Sequence, residues 1–182
     1  MLRAVLGRYL GRPAAAVQFT RRTDPNARPG LPPGARLRLD FSLSHAGDFA
    51  AVAVTRGIRV GVDVETPRPR LDPIAVARAH FAPSETAALE ACAQARQAAL
   101  FLRLWTAKEA VLKALGTGLA GSLSQTAFHL DRDGRPRLRM QSALALWMPA
   151  QVGGATLALA APRSVRRVRF WSGSGFVVAR GR

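Results

Sequence analysis

Alternating apolar and polar positions predict β-strands in the first third of the chain. In residues 37–44 four apolar side chains alternate with Arg, Asp, Ser and Ser, the period-two pattern of a half-buried strand. A small apolar run, residues 49–55, follows after a turn at Ala46-Gly47-Asp48. A tight turn at Arg56-Gly57 then predicts a hairpin whose returning strand covers residues 58–65.

Helical patterns dominate the middle of the chain. A short amphipathic helix is predicted over residues 2–10, and a helix with an Asp72 cap and Pro73 at its first position runs to about His80. A second short helix follows Pro83 to about Ala93. The longest helix, about 95–115, lacks Gly and Pro and ends at Gly116. The remaining segments are predicted as strands at 16–20, 144–148 and 156–161, a hairpin at 127–130 and 136–141, a turn-rich loop at 21–35 and a loose tail at 163–182.

Length and charge limit the classes of protein that fit. A chain of 182 residues with 48% hydrophobic residues forms one domain with a real core. Its formal charge of +16 predicts polyanionic partners, such as nucleic acid, an anionic membrane, a phosphorylated small molecule or an acidic protein. The single cysteine, Cys92, excludes an internal disulfide and a cysteine metal cluster. No apolar run is long enough for a signal peptide or a membrane span, so the expected location is the cytoplasm.

The long helix carries the first candidate for chemistry. Of the 27 lysines and arginines only two are lysines, Lys108 and Lys113, and both flank Glu109. Lysine is a compact point charge whose pKa can be moved enough for proton transfer, unlike that of arginine. Glu109 and Lys113 could form an ordinary surface pair, which would contribute about 0.3–0.5 kcal/mol. Lys108 falls near the middle of the apolar arc, where a charge must snorkel out or face a polar cleft.

Two carboxylates on one strand form the second candidate. Asp63 and Glu65 alternate with valines and therefore share one face of the strand. Such a pair suits a divalent cation with oxygen ligands, above all Mg²⁺. Gly61 would allow another backbone to approach closely. The alternative is a solvated face whose carboxylates pair with neighbouring arginines such as Arg59.

Ser44 and His45 form the third candidate, because they lie where the alternation ends and a turn begins. A hydroxyl, an imidazole and the backbone N–H groups that follow could receive a phosphate. A lone histidine is otherwise a structural residue more often than a ligand.

Together the three motifs resemble the 4′-phosphopantetheinyl transferases, specifically their larger, pseudo-dimeric type that acts on carrier proteins. The motifs are Phe41-Ser-Leu-Ser-His-Ala-Gly, then Val60-Gly-Val-Asp-Val-Glu, then Trp105-Thr-Ala-Lys-Glu-Ala-Val-Leu-Lys. The resemblance covers about residues 2–162. It implies an α+β fold with two similar halves, residues 1–65 and 66–162, an active site between them and a basic tail at 163–182.

The resemblance also implies roles for individual residues. Asp63, Glu65 and Glu109 match the carboxylates that hold Mg²⁺, or Mn²⁺ in its place. Lys113 matches a lysine that stabilises charge and protonates the leaving group, and Glu109 is the candidate for taking the proton of the attacking serine, directly or through water. Glu109, Lys113 and Asp63 are thus the implied catalytic residues. Two lysines and a cation nearby are expected to keep Glu109 ionised.

Five residues are implied to bind coenzyme A. Ser44 and His45 match a Ser-His pair that contacts the phosphates of the ADP part, and Lys108 and Lys113 match lysines near the pyrophosphate. Arg28 stands where the family often has the lysine of Gly-Lys-Pro, so it departs from the pattern.

The implied reaction is transfer of 4′-phosphopantetheine from coenzyme A to a serine of an apo acyl or peptidyl carrier protein, with release of 3′,5′-ADP. The partners are coenzyme A and an acidic carrier protein, without nucleic acid or membrane, and a monomer is expected. The larger type usually has several tens more residues before the point that matches Met1. Either the chain is a compact version of this type or its start is truncated. Two other functions stay open: a shortened homologue that binds coenzyme A or a carrier protein without turnover, and a nucleic-acid-binding protein, which the charge of +16 would fit.

Overall fold

The structure, a computed structural model, describes residues 1–20, 30–32, 39–117, 123–138, 142–149, 153–173 and 176–181. Within these residues the helices are α1 (Leu2–Leu10), α2 (Pro73–His80), α3 (Pro83–Glu90) and α4 (Gln94–Leu115), with a short 3₁₀ helix at Ala14–Ala16. The strands are β1 (Leu39–Ala46), β2 (Phe49–Arg56), β3 (Gly61–Glu65), β4 (His129–Leu130), β5 (Pro136–Arg137), β6 (Leu144–Trp147), β7 (Thr156–Pro162), β8 (Val168–Gly173) and β9 (Phe176–Gly181). The predicted α+β class is confirmed.

The first sheet joins the two ends of the chain. Its strand order is β1-β2-β9-β8, and β9 runs parallel to β2, with Ala51 opposite Val177. Helix α1 covers this sheet, and Leu6 packs with Phe41 and Val54 in a shared apolar cluster. The prediction of a loose tail is wrong, because residues 168–173 and 176–181 form a β-hairpin that adds two strands to this sheet.

The second sheet supports the long helix. Its order is β3-β7-β6, antiparallel throughout, and α4 packs across it. Apolar residues of α4 such as Leu104 and Val111 form one cluster with Phe81 of the α2–α3 connection and Ala158 of β7. Gly116 ends the helix in the left-handed conformation at φ 78°, as predicted. The Arg59 guanidinium donates to the Leu115 carbonyl at 3.0 Å and caps the same end.

Polar side chains of β1 join the two sheets. Asp40 accepts the backbone N–H of Val60 at 2.9 Å, and Ser42 accepts that of Val62 at 3.0 Å. The strand alternation was predicted correctly, but its polar face does not lie in water: Ser42 is buried against β3. Buried hydroxyls that are hydrogen-bonded in this way fix the position of one strand relative to another.

Several other sequence predictions meet the structure in different ways. The short helices and the 127–141 hairpin are present, although α3 ends at Glu90 and β4 and β5 have two residues each. The strand predicted at 16–20 is wrong, since Ala14–Ala16 is a 3₁₀ helix and Thr20 makes only an isolated bridge to Gly30. The hairpin predicted from residues 49–55 to residues 58–65 is also wrong, because β3 pairs with β7 and not with β2. The division into two similar halves stays a prediction.

Candidate active site

A serine, an aspartate and a lysine from three elements meet in one polar cluster. Lys113 of α4 donates to Asp63 Oδ1 at 2.6 Å, and the Ser44 hydroxyl donates to the same oxygen at 2.7 Å. Lys113 Nζ also donates to Ser44 Oγ at 3.2 Å. Asp63 is only 3% exposed, whereas the Lys113 side chain keeps 24% of its surface. The structure therefore brings together three residues that lie 19 and 50 positions apart in the sequence.

Gly61 lets α4 approach β3 closely enough to form this cluster. A Cβ at this position would lie 1.9 Å from the Ala110 carbonyl oxygen and 2.4 Å from the Ala114 backbone nitrogen. Both distances are shorter than any real contact, so only glycine fits between the strand and the helix. The close approach predicted from the sequence is thus present, and it places Asp63 beside the helix turn that carries Glu109 and Lys113.

Glu109 faces the same cluster and carries a perturbed carboxyl group. Burial raises the pKa of Glu109, and the neighbouring Asp63 and Glu65 raise it further, while Lys113 opposes them. Burial likewise raises the pKa of Asp63, against the lowering effect of Lys113 and Ser44. The expectation that two lysines keep Glu109 ionised needs correction, because only Lys113 lies near enough to act on it.

The donor set fits a hard divalent cation. Two buried carboxylate oxygens, Asp63 Oδ2 and Glu109 Oε1, meet no hydrogen-bond donor in the part of the chain that the structure describes. Buried unpaired oxygens of this kind indicate a missing positive partner, and carboxylate oxygens are the ligands that Mg²⁺ prefers. As the side chains stand, however, no three described His, Cys, Asp or Glu residues are grouped closely enough to hold an ion.

Glu65, the third predicted ligand, is turned towards a cation of the chain itself. One nitrogen of the Arg68 guanidinium, Nη2, donates to both Glu65 oxygens, at 3.0 and 2.8 Å. The alternative of an arginine-paired carboxylate is therefore present for Glu65, although the partner is Arg68 and not Arg59. Beside this pair lies a cavity of about 190 Å³ whose apolar wall includes Leu71, Phe101 and Trp105.

The structure places Lys108 outside this site. Its side chain is fully buried, and its ammonium contacts Glu85 Oε2 at 2.7 Å, the Leu123 carbonyl at 2.8 Å and the Thr126 carbonyl at 2.6 Å. The prediction that Lys108 contacts coenzyme A does not fit this geometry, because the three protons of the ammonium already meet three protein oxygens. Burial lowers the pKa of Lys108, and Glu85 opposes that effect.

Of the two remaining residues predicted to bind coenzyme A, His45 lies within the described residues and Arg28 does not. His45 lies at the end of β1 next to Ser44, and its side chain is exposed to solvent. It is therefore accessible to a ligand, although adjacent strand positions point to opposite faces. Arg28 lies outside the residues that the structure describes, so its role stays a prediction.

Sequence reasoning missed three residues that hold the site or the neighbouring helices in place. Glu85 accepts from Lys108, from the Ala82 N–H and from the Phe128 N–H, all at 2.7–2.9 Å. Its only sequence signal was an acidic residue two positions after a helix-starting proline. Ser42 was assigned to a polar strand face, and nothing in a single sequence showed that β3 covers it. Arg68 could have been found as the cation three residues after Glu65.

Comparison with known proteins identifies the family of this chain. The family model described as the 4′-phosphopantetheinyl transferase superfamily matches residues 59–160, more than half of the chain, and the chain belongs to this family. The 4′-phosphopantetheinyl transferase HetI of Nostoc is 37% identical over 123 residues, which are 66% of this chain and 50% of HetI. The 4′-phosphopantetheinyl transferase AcpT of Salmonella typhi is 43% identical over 76 residues, 42% of this chain and 40% of AcpT.

Among solved structures, the holo-[acyl-carrier-protein] synthase of Thermotoga maritima has a TM-score of 0.46 and 24% identity, covering 62% of this chain and 67% of that one. A TM-score below 0.5 does not establish a shared fold. The fold assignment therefore rests on the helices and strands of the chain itself and on the family match. The chain spans about half the length of HetI. Among the described helices, none has the length and apolar character that crossing a membrane requires.

Proposed function

We propose that this chain transfers the 4′-phosphopantetheine group from coenzyme A to a serine of an apo carrier protein and releases 3′,5′-ADP. The observation that carries the proposal is the Ser44–Asp63–Lys113 cluster facing Glu109, with two buried carboxylate oxygens that lack a donor among the described residues. This arrangement concentrates negative charge at a place where a cation and a pyrophosphate can be bound together.

The chain's own residues account for both proton movements. The serine hydroxyl attacks the β-phosphorus of coenzyme A, and the bond from this phosphorus to the bridging oxygen breaks. Glu109 takes the serine proton, and its raised pKa makes it a stronger base near neutral pH. Lys113 is held by Asp63 and Ser44, which keeps its ammonium in place to stabilise the departing phosphate and to donate a proton to it.

Asp63, Glu65 and Glu109 would hold the divalent ion, Mg²⁺ or Mn²⁺. When bound, the ion would supply charge neutralisation and alignment of the phosphates. The ion would also satisfy Asp63 Oδ2 and Glu109 Oε1, the two buried oxygens without a donor. Ser44 is held by Asp63 and Lys113 and helps to orient both of them, while the exposed His45 is available to the ADP part of coenzyme A.

The charge of the chain supports an acidic partner. A formal charge of +16 steers both coenzyme A and an acidic carrier protein towards the surface, and it raises the rate of encounter more than the final affinity. We place the reaction in the cytoplasm, where coenzyme A and apo carrier proteins would meet the chain. We also propose a monomer, because the expected pair of similar halves lies within one chain.

The test is mass spectrometry of an apo carrier protein after incubation with the chain, coenzyme A and Mg²⁺, with and without EDTA. We expect a gain of one phosphopantetheine that EDTA abolishes. Glu109→Gln should abolish the gain, whereas Glu90→Gln, which changes an exposed glutamate paired with Arg78, should not.

Three other outcomes would contradict the proposal in whole or in part. A normal gain with Glu109→Gln would overturn only the assignment of Glu109 as the base and would leave the proposed transfer in place. Binding of coenzyme A without transfer would favour the shortened homologue. A salt-sensitive, sequence-independent affinity for DNA with no binding of coenzyme A would favour the nucleic-acid alternative.

A further inference from the structure

The ion pair between Glu65 and Arg68 has an uneven geometry. Both oxygens of the Glu65 carboxylate accept from the same guanidinium nitrogen, so the carboxylate is engaged on both sides. The Glu65 side chain is 12% exposed, whereas that of Arg68 is 58% exposed. Of the two partners, only the guanidinium can move into solvent without unfolding its surroundings.

The two neighbouring carboxylates, Asp63 and Glu109, are less completely paired than Glu65. Asp63 Oδ2 and Glu109 Oε1 are buried without a donor among the described residues, and Glu65 is close enough to raise the pKa of both carboxyl groups. The Lys113 ammonium contacts only one oxygen of Asp63, Oδ1. Glu65 is therefore the one carboxylate of the three whose oxygens are both matched by a positive side chain.

We propose that Arg68 is an exchangeable counter-ion that occupies Glu65 in the metal-free protein and must leave Glu65 before this carboxylate can bind a divalent cation. The inference rests on the proposed function, because it takes Asp63, Glu65 and Glu109 as the ligands. In the structure Arg68 Nη2 donates to both oxygens of Glu65, so a cation can bind this carboxylate only in exchange for the guanidinium.

The surroundings permit the exchange. Arg68 lies between two prolines in the segment that joins β3 to α2, and this segment forms one wall of the cavity with Leu71 and Trp105. The guanidinium can thus swing away from Glu65 while the backbone stays in place. The backbone of Glu65 remains fixed by its pairing with Thr156 in the sheet, so only its side chain has to turn from Arg68 towards a cation.

The exchange predicts opposite effects of one substitution on stability and on metal affinity. Arg68→Gln removes the counter-ion, so the metal-free protein should melt about 2–4 °C lower in EDTA. The same variant should bind Mn²⁺ at least about fivefold more tightly than the wild type, since no cation has to be displaced. At saturating Mn²⁺ the two proteins should melt at the same temperature.

The matched control is Arg70→Gln, which removes the same charge from an exposed side chain two positions along the same segment. The experiment is a Mn²⁺ titration by calorimetry, without coenzyme A, together with melting curves in EDTA and in Mn²⁺. Tightening by Arg68→Gln but not by Arg70→Gln, with a lower melting temperature in EDTA, supports the exchange.

Equal tightening by both variants would overturn the exchange, because it would indicate a general effect of surface charge. Wild-type binding with no tightening in Arg68→Gln would overturn the exchange alone and leave the proposed function in place. Absence of Mn²⁺ binding in every protein would overturn both the exchange and the metal assignment.

Discussion

The two lysines of α4 lie only five positions apart in the sequence, yet they belong to different environments. Lys108 is sealed between α3 and the 123–128 segment, where Glu85 and two backbone carbonyls take its protons and the rings of Phe81 and Phe128 lie 5.0 and 5.6 Å away. Lys113 keeps part of its surface in solvent and contacts Asp63 and Ser44.

The difference shows that the degree of burial, and not the residue type, separates a lysine that only stabilises the fold from a lysine that can contact a substrate. A fully enclosed ammonium with three oxygen partners can hold elements together but cannot meet a substrate. A half-enclosed ammonium on a buried carboxylate can do both. The lysine on the apolar face thus supports the fold, and the lysine beside that face belongs to the site.

Replacing the buried lysine should have the largest effect. Lys108→Met leaves Glu85 as an uncompensated buried charge, which is expected to lower the free energy of unfolding by about 3–5 kcal/mol. Chemical denaturation measures this loss. Transfer per folded molecule should change far less, as measured on the fraction that stays native.

Adding Glu85→Gln to Lys108→Met provides the control for that effect. The double variant removes both charges together, so we expect it to recover at least about 1 kcal/mol relative to Lys108→Met. A double variant as unstable as the sum of the two single variants would contradict the assignment of Lys108 and Glu85 as a coupled pair.

Replacing the half-exposed lysine should reverse the pattern. Lys113→Met is expected to lower transfer about 100-fold, because it removes one stabilising donor from the departing phosphate. The loss of stability should be about 1–3 kcal/mol and smaller than for Lys108→Met, because Asp63 loses its cation but keeps the Ser44 hydroxyl as a donor. Steady-state kinetics and denaturation of the same preparation measure both quantities. A larger loss of stability than in Lys108→Met would overturn the comparison.

The smallest expected effect concerns pH and Glu109. A carboxyl whose pKa is raised in the folded state holds its proton more tightly there than in the unfolded chain, so its ionisation lowers stability as pH rises through the folded pKa. Glu109→Gln should therefore melt slightly above the wild type in EDTA at neutral pH.

This advantage should shrink as pH falls towards the unfolded pKa of a glutamate, because the wild-type carboxyl becomes protonated too. Melting curves across pH measure the difference. A variant that melts below the wild type at neutral pH would contradict the raised pKa.

Much of the site could be predicted because short-range rules determine it. The period of two in a strand puts Asp63 and Glu65 on one face, and the (i, i+4) spacing in a helix puts Glu109 and Lys113 on one side. The caps of α2 and α4 follow from Asp72, Pro73 and Gly116 in the same local way.

Long-range partners escaped prediction. Lys108 was correctly identified as a charge on an apolar face. Its partner Glu85 lies 23 positions earlier on another helix, and the pattern of a single helix does not show which residue of another helix it contacts. The tail was predicted as loose because its sequence is basic and then rich in Gly and Ser. Strand β9 pairs with β2, in which Ala51 lies opposite Val177, 126 positions away in the sequence, and tertiary context decides such a pairing.

Gly61 also limits how far α4 can slide along β3. The Ala110 carbonyl oxygen and the Ala114 nitrogen both lie within 2.4 Å of the place where its Cβ would stand, so the strand backbone packs directly against the helix backbone. A shift of α4 by a single turn would carry Glu109 about 5.4 Å along the strand and away from Asp63. The alignment of Glu109 with Asp63 therefore depends on the shape of the backbone at Gly61, which carries a hydrogen atom where other residues carry a Cβ.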